Sequence, residues 1–203
     1  MINTMVGPRN YVKKANDAPD LPSGWSFALF TQDFYDFMKD DPRFEATILD
    51  LKKMKAEGKA DYLEGYQDTG YFVNKFTPRK TDVSTGQGDA VLNYRQDFYV
   101  IRLADSYLME AEALGGTGAR AQALLDAVRT RVGLPSVQVS MDAIKKERRR
   151  ELAGEGHRFF DLVRWGDAAN VLSSRGFVAG KNEILPIPYS EFQNTKLVQN
   201  PGY

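Results

Sequence analysis

The segment ERRRELAGEGHRFFDLVRWGD, residues 147–167, gathers five arginines and five carboxylates around the only histidine in the chain, His157. Such a set could supply acids and bases, clamp an anion, or hold itself together. Acid–base work needs a carboxyl whose setting moves its pKa, or an imidazole within reach of a nucleophile or substrate proton. Neither is signalled. There is no GxSxG, no paired cysteine and no HExxH, and EGHRFFD is not a metalloprotease pattern. Carboxylates are plentiful enough for a glycosidase pair, but no aromatic setting singles one out. GGTG at 115–118 lacks the Lys–Ser/Thr and the preceding strand of a phosphate loop, so it reads as a turn between helices. The absence of cysteine excludes disulfides, thiolate catalysis and cysteine-ligated metals, and one histidine does not make a zinc site. No catalytic residue, metal ligand or cofactor is assigned.

What remains is self-neutralisation. Acids and bases alternate at helical contact spacing: Glu147 can reach Arg150, Arg148 can reach Glu151, Arg158 can meet Asp161 and Glu155, and Arg164 can meet Asp161. Glu147, Arg148, Arg150, Glu151, Glu155, Arg158, Asp161 and Arg164 are therefore expected to form a structural charge network locking two helices at a corner. The arginine stems would cover apolar surface. His157 is expected to cap a helix or sit at the edge of the core.

The aromatic residues are the other chemistry-bearing set. Sugar rings present C–H faces that stack on aromatic planes, while polar neighbours bond the hydroxyls. Trp25 and Phe27 follow the Pro/Ser/Gly loop PDLPSGW, where a ligand role competes evenly with a core role. Tyr11, Tyr66 and Tyr71 belong to the same aromatic-rich region; Phe34 and Phe37, at helical spacing, are core. Lys+Arg and Asp+Glu balance at 27 each, leaving no electrostatic footprint for nucleic acid.

These residues must be positioned by two textures of chain. Residues 1–96 are loop-rich, with a helix capped by Thr31 and stopped before Pro42, a short helix or charged turn in LDLKKMKAEG, a strand in GYFVNKF and an exposed loop in TDVSTGQGD. Residues 97–172 are helical. One helix is expected from Phe98 with an apolar stripe on Ile101, Ala104, Leu108 and Ala111; a second runs through Ala121, Leu124, Leu125 and Val128 to Gly133. The pair matches the length of a tetratricopeptide unit, which cannot bury its own face. A third helix follows Ser140, and a fourth is expected from His157 to Leu172 with Phe160, Val163 and Val171 on its apolar face. Residues 173–203, with prolines alternating among apolar residues, should be extended and closed by a polar turn.

The order of TQDFYDFMKDDPRFEATI, DFYVIRLADSYLMEAEAL, ALLDAVRTRVGLP, KKERRRELAGEGHRFFDLVRWGD and ILPIPYSEFQNTKLVQNPGY resembles the C-terminal part of the SusD/RagB family. The resemblance implies a mostly α, SusD-like fold with a tetratricopeptide-like helix pair, further helices and irregular aromatic-rich loops. It implies a non-catalytic, surface-exposed lipoprotein of the Bacteroidetes outer membrane. Such a protein binds an oligosaccharide and delivers it to a SusC-like, TonB-dependent transporter. Family members are more than twice this length, so an N-terminal part bearing the lipid anchor and the helix repeats is an expected partner. Family ligand contacts come from loops upstream of the helix that starts here near Thr31, which places Trp25, Phe27, Tyr11, Tyr66 and Tyr71 as candidates. The charged stretch carries family identity in a structural role. The competing expectation is a tetratricopeptide-like interaction scaffold that binds no sugar.

Overall fold

A computed structural model describes residues 1–203. Helices dominate, and the strands form two small antiparallel pairs. The chain divides into two compact units, Met1–Glu155 and Gly156–Tyr203.

In the first unit, α1 (Ile2–Val6) leads through an extended segment to β1 (Val12–Lys13). Helix α2 (Gln32–Met38) starts where Thr31 accepts a hydrogen bond from the Phe34 amide, and it turns Phe34 and Met38 inward. Helix α3 (Phe44–Thr47) runs directly into β2 (Ile48–Asp50). Asp50 then caps α4 (Leu51–Ala56) by accepting from the Lys53 amide. Leu49 and Asp50, expected at the start of a helix, are instead strand residues. Strand β3 (Ala60–Asp61) pairs with β1, and β4 (Tyr71–Val73) pairs with β2, setting Ile48 opposite Val73 and Leu49 opposite Phe72. Period-two alternation along β2 and β4 serves two apolar clusters. Leu49 and Phe72 pack with Leu21, Leu51 and Tyr62; Ile48 and Tyr71 pack with Phe34, Met38 and Ala153.

The helical part of this unit is built from α5 (Leu103–Ala113), α6 (Gly118–Thr130) and α7 (Met141–Glu151). Leu108, Ala111, Ala121, Leu124, Leu125, Val128 and Ile144 form their shared core. Ala111 and Ala121 are fully buried, which lets α5 and α6 approach closely. Ser140 caps α7 by accepting from the Ala143 amide. Helix α5 begins five residues after Phe98. Arg102 is extended, and Ile101 is 77 % exposed rather than part of an apolar stripe. The Arg102 guanidinium bonds Glu151 and Glu155, which draws the preceding backbone out of helical phase.

In the second unit the expected fourth helix is two: α8 (Arg158–Arg164) and α9 (Ala168–Leu172). Gly166, at φ +73°, ends α8 in the left-handed region. The break shifts the helical phase, so Leu162 and Ala168 are buried while Phe160 and Val171 are exposed. The C-terminal segment is irregular apart from a short 3₁₀ turn at Tyr189–Phe192. Ile187 carries the only backbone N–H between Pro186 and Pro188. The Gln199 side chain pairs with both of its backbone groups, accepting at 2.8 Å and donating at 3.0 Å. Asn200 donates to the Leu185 carbonyl and Tyr203 to that of Ile184, so the polar end closes back on the prolines.

Candidate functional site

The charged segment meets partners far away in sequence. Glu147 on α7 accepts from Arg43 at 2.7 Å and Arg129 at 2.8 Å. Glu151, one turn later, accepts from Arg43, Arg102 and Arg131 at 2.8, 2.6 and 2.8 Å. Glu155 accepts from Lys75 and Arg102, each at 2.6 Å. Arg148 donates to Asp105 of α5 at 2.7 Å, and Arg150 lies 3.5 Å from Asp41. The pairing expected along α7 itself, Glu147 with Arg150 and Arg148 with Glu151, is replaced by this cross-element pairing. In the second unit Arg164 does meet Asp161, at 2.9 Å and helical spacing, while Arg158 opens α8. His157 occupies the cap position of α8, but its side chain makes no capping bond.

Burial alone would raise the Glu151 carboxyl. Hydrogen bonds from Arg102 and Arg43, with the charges of Arg102 and Arg131, outweigh it and hold the group below its ordinary value. A carboxylate so held is a poor base and is already fully engaged. No group of three or more His, Cys, Asp or Glu side chains is arranged to hold a metal ion. The chemistry of this cluster is cohesion.

The aromatic candidates separate by exposure. Tyr71 is 5 % exposed, stacked on Tyr35 at 4.3 Å with its hydroxyl on Gln32; it is core and shows a ligand little of its ring. Tyr11 is half-buried against the Leu21 cluster, and its hydroxyl donates to the Pro19 carbonyl at 2.7 Å. Trp25 and Phe27 are 38 % and 49 % exposed, edge to face with centroids 6.1 Å apart. Tyr66 is 94 % exposed on a separate turn.

Trp25 lines a cleft of about 510 Å³ with Arg9, Asn10, Ser23, Val91 and Tyr94. Its loop is fixed by backbone bonds. Gly24 donates to Pro8, Trp25 to Thr4, Ser26 to Gly7 and Phe27 to Met5, all at 2.7–2.8 Å. A Cβ on Gly24 would lie 2.4 Å from the Gly7 carbonyl oxygen, so only glycine allows the two strands of chain to touch. Ser26 and Ala28 stand at φ +57° and +58°, a left-handed conformation that non-glycine residues adopt at a cost. Phe27 sits between them. Strain held in place around an exposed aromatic pair is the geometry of a preformed platform. Arg9 adds a guanidinium whose Nη2 donates to the Trp25 carbonyl at 3.3 Å. Sequence reasoning missed Arg9, Asn10 and Tyr94. The first two precede the loop without a motif, and Tyr94 arrives 69 residues after Trp25 through the Val83–Tyr94 bridge.

Trp25 thus lines a mainly apolar cleft edged by Arg9, Asn10 and Ser23, with Phe27 edge to face beside it. The chain belongs to the SusD family, whose model matches residues 24–176. It is 35 % identical over 135 residues to SusD-like protein P25 of Formosa agariphila, covering 55 % of this chain and 26 % of that protein. Among solved structures, a laminarin binding SusD-like protein shares 69 % identity at a TM-score of 0.97, covering 100 % of this chain and 44 % of that one. Surface glycan-binding protein A from Bacteroides thetaiotaomicron in complex with laminarihexaose shares 30 % identity at a TM-score of 0.83, covering 98 % and 46 %. The chain thus spans less than half the length of each of these three proteins. No helix is long and apolar enough to cross a membrane.

Proposed function

We propose that this chain is the ligand-presenting part of a surface glycan receptor that takes a laminarin-type glycan, performs no chemistry on it, and passes it to a SusC-like, TonB-dependent transporter in the outer membrane. The observation that carries the reading is Trp25 lining its cleft, with Phe27 edge to face beside it on a loop fixed by four backbone hydrogen bonds. The 69 % identity over the whole chain to a laminarin binding protein supports the choice of glycan. Binding is passive: sugar faces stack on Trp25 and Phe27, and Arg9, Asn10 and Ser23 offer donors and acceptors to hydroxyls. Family membership supports a surface location and a lipid anchor for the whole receptor.

Affinity electrophoresis through gels containing laminarin tests the reading. The wild-type chain is expected to be retarded, and Trp25→Ala to lose at least tenfold in affinity, about the loss of one stacked ring of 1.4 kcal/mol. Equal retardation of both would remove the site assignment. The scaffold alternative has one observation in its favour, the exposed apolar run Phe98 to Ile101 with Leu103 beyond it. If substitutions there abolish transporter association while Trp25→Ala changes nothing, that alternative stands.

A further inference from the structure

The Trp25 cleft has two walls from distant parts of the chain. Residues 22–25 form one; Val83, Ala90, Val91 and Tyr94 belong to the other. Helix α1 ends at Gly7, and Pro8 has no N–H to donate to the Thr4 carbonyl one turn back. That carbonyl accepts from the Trp25 amide instead, at 2.8 Å. The Thr4 side chain serves the other wall, its hydroxyl donating to the Val91 carbonyl. Thr4 is 1 % exposed, and a hydroxyl so buried needs such a partner. The Tyr94 hydroxyl meets the same side chain: burial raises its pKa, and the Thr4 contact offsets part of the rise. The other hydrogen bonds made across residues 83–95 stay within residues 80–96, apart from one from the exposed Met1 amine to Leu92.

We infer that Thr4 is a positioning residue of the Trp25 cleft: its carbonyl holds one wall and its hydroxyl the other, fixing the gap between them before ligand arrives. The inference rests on the glycan reading of that cleft. Thr4 alone hydrogen-bonds both walls; Arg9, Asn10 and Pro8 bond the first only, and Met1 the second only. The second wall has little else to hold it. Residues 84–89 include Gly86 and Gly88, and Val91 is 52 % exposed, so burial contributes little there. Thr4 lies beneath the lining and touches no sugar. Its effect is on the population of the closed gap. A wall in the competent position for about a tenth of the time weakens binding about tenfold, because apparent affinity scales with the competent fraction.

Calorimetric titration of wild type, Thr4→Val and Thr4→Ser with laminarihexaose tests this, with hydrogen exchange of the free chains alongside. Thr4→Val keeps the shape and the carbonyl but loses the hydroxyl. It is expected to bind about tenfold more weakly, with faster amide exchange across residues 83–95. Thr4→Ser restores the hydroxyl on a smaller side chain and is expected to recover most of the affinity, which a role in packing alone would not give. If circular dichroism shows Thr4→Val unfolded, Thr4→Ala against Thr4→Ser makes the same comparison. Wild-type affinity in the variant without a hydroxyl, or equal weakening in Thr4→Ser, would overturn the inference. Trp25→Ala separates this from the glycan reading. Weakened binding in Trp25→Ala with full affinity in Thr4→Val removes the role of Thr4 alone, whereas full affinity in Trp25→Ala, or no binding by wild type, removes both.

Discussion

The most heavily bonded residues are those of the carboxylate–guanidinium cluster. Glu147 and Glu151 are nearly fully buried, and each is held by guanidiniums from at least two other segments. Neutralising Glu151 takes one partner each from Arg43 and Arg102, which keep Asp41, Glu147 and Glu155, so Glu151→Gln should cost about 1.5–3 kcal/mol. A drop in the urea midpoint at unchanged slope would show this. The cluster also sets the acid limit. Glu151 and Asp41 are both held below their ordinary values of 4.5 and 3.8: burial raises each, but hydrogen bonds from arginine outweigh it. A depressed carboxyl contributes stability that is complete above the unfolded value and is lost as pH falls through the folded one. Unfolding free energy should therefore be flat above about pH 5 and fall steadily below about pH 4.5. Glu151→Gln should flatten that decline. The spacing along α7 suggested that these charges would pair with one another, whereas the pairs that form reach other elements. It could not reveal the partners: Arg43 lies 104 residues from Glu147 and belongs to no motif.

Among the elements, the loop carrying Trp25 is the one on which binding depends. Its rigidity comes from Gly24 against Gly7, and Gly24→Ala forces a Cβ to within 2.4 Å of a backbone oxygen. The expected result is a lower melting temperature from about 1–3 kcal/mol of overpacking, together with weakened laminarin binding in the same variant. Stability lost without loss of affinity would mean the loop need not be preformed. Element boundaries were legible where a local signal exists, as with the caps Thr31 and Ser140, which act as their side-chain types require. They were illegible where a distant group wins. Ile101 fits the apolar stripe of α5, yet the start of the helix is set by Arg102 reaching Glu151 and Glu155. The strand β2 was hidden because Leu49 and Asp50 read equally well as the start of α4, and only the pairing with Tyr71–Val73 decides between them. Tyr71 stood among the ligand candidates because its strand GYFVNKF says nothing of the Tyr35 ring that covers it.

At the scale of the whole molecule, the order of the motifs identified the family and the texture change near residue 97 marked where the helices gather, but the path from Arg9 through Trp25 to Tyr94 needed the folded chain. Val100 and Ile101 are each 77 % exposed beside Tyr99 and Leu103, so they contribute little to the stability of this chain. Val100→Asp with Ile101→Asp should change unfolding free energy by less than about 0.5 kcal/mol, read from the urea midpoint.

The central claim is that Trp25 meets the glycan, and Trp25 is one of only two tryptophans. In a Trp165→Phe background its fluorescence reports the cleft alone. Titration with laminarihexaose is predicted to shift that emission saturably, with the same midpoint that calorimetry gives. Calorimetric binding with no change in Trp25 emission would contradict the account and place the sugar elsewhere on the chain.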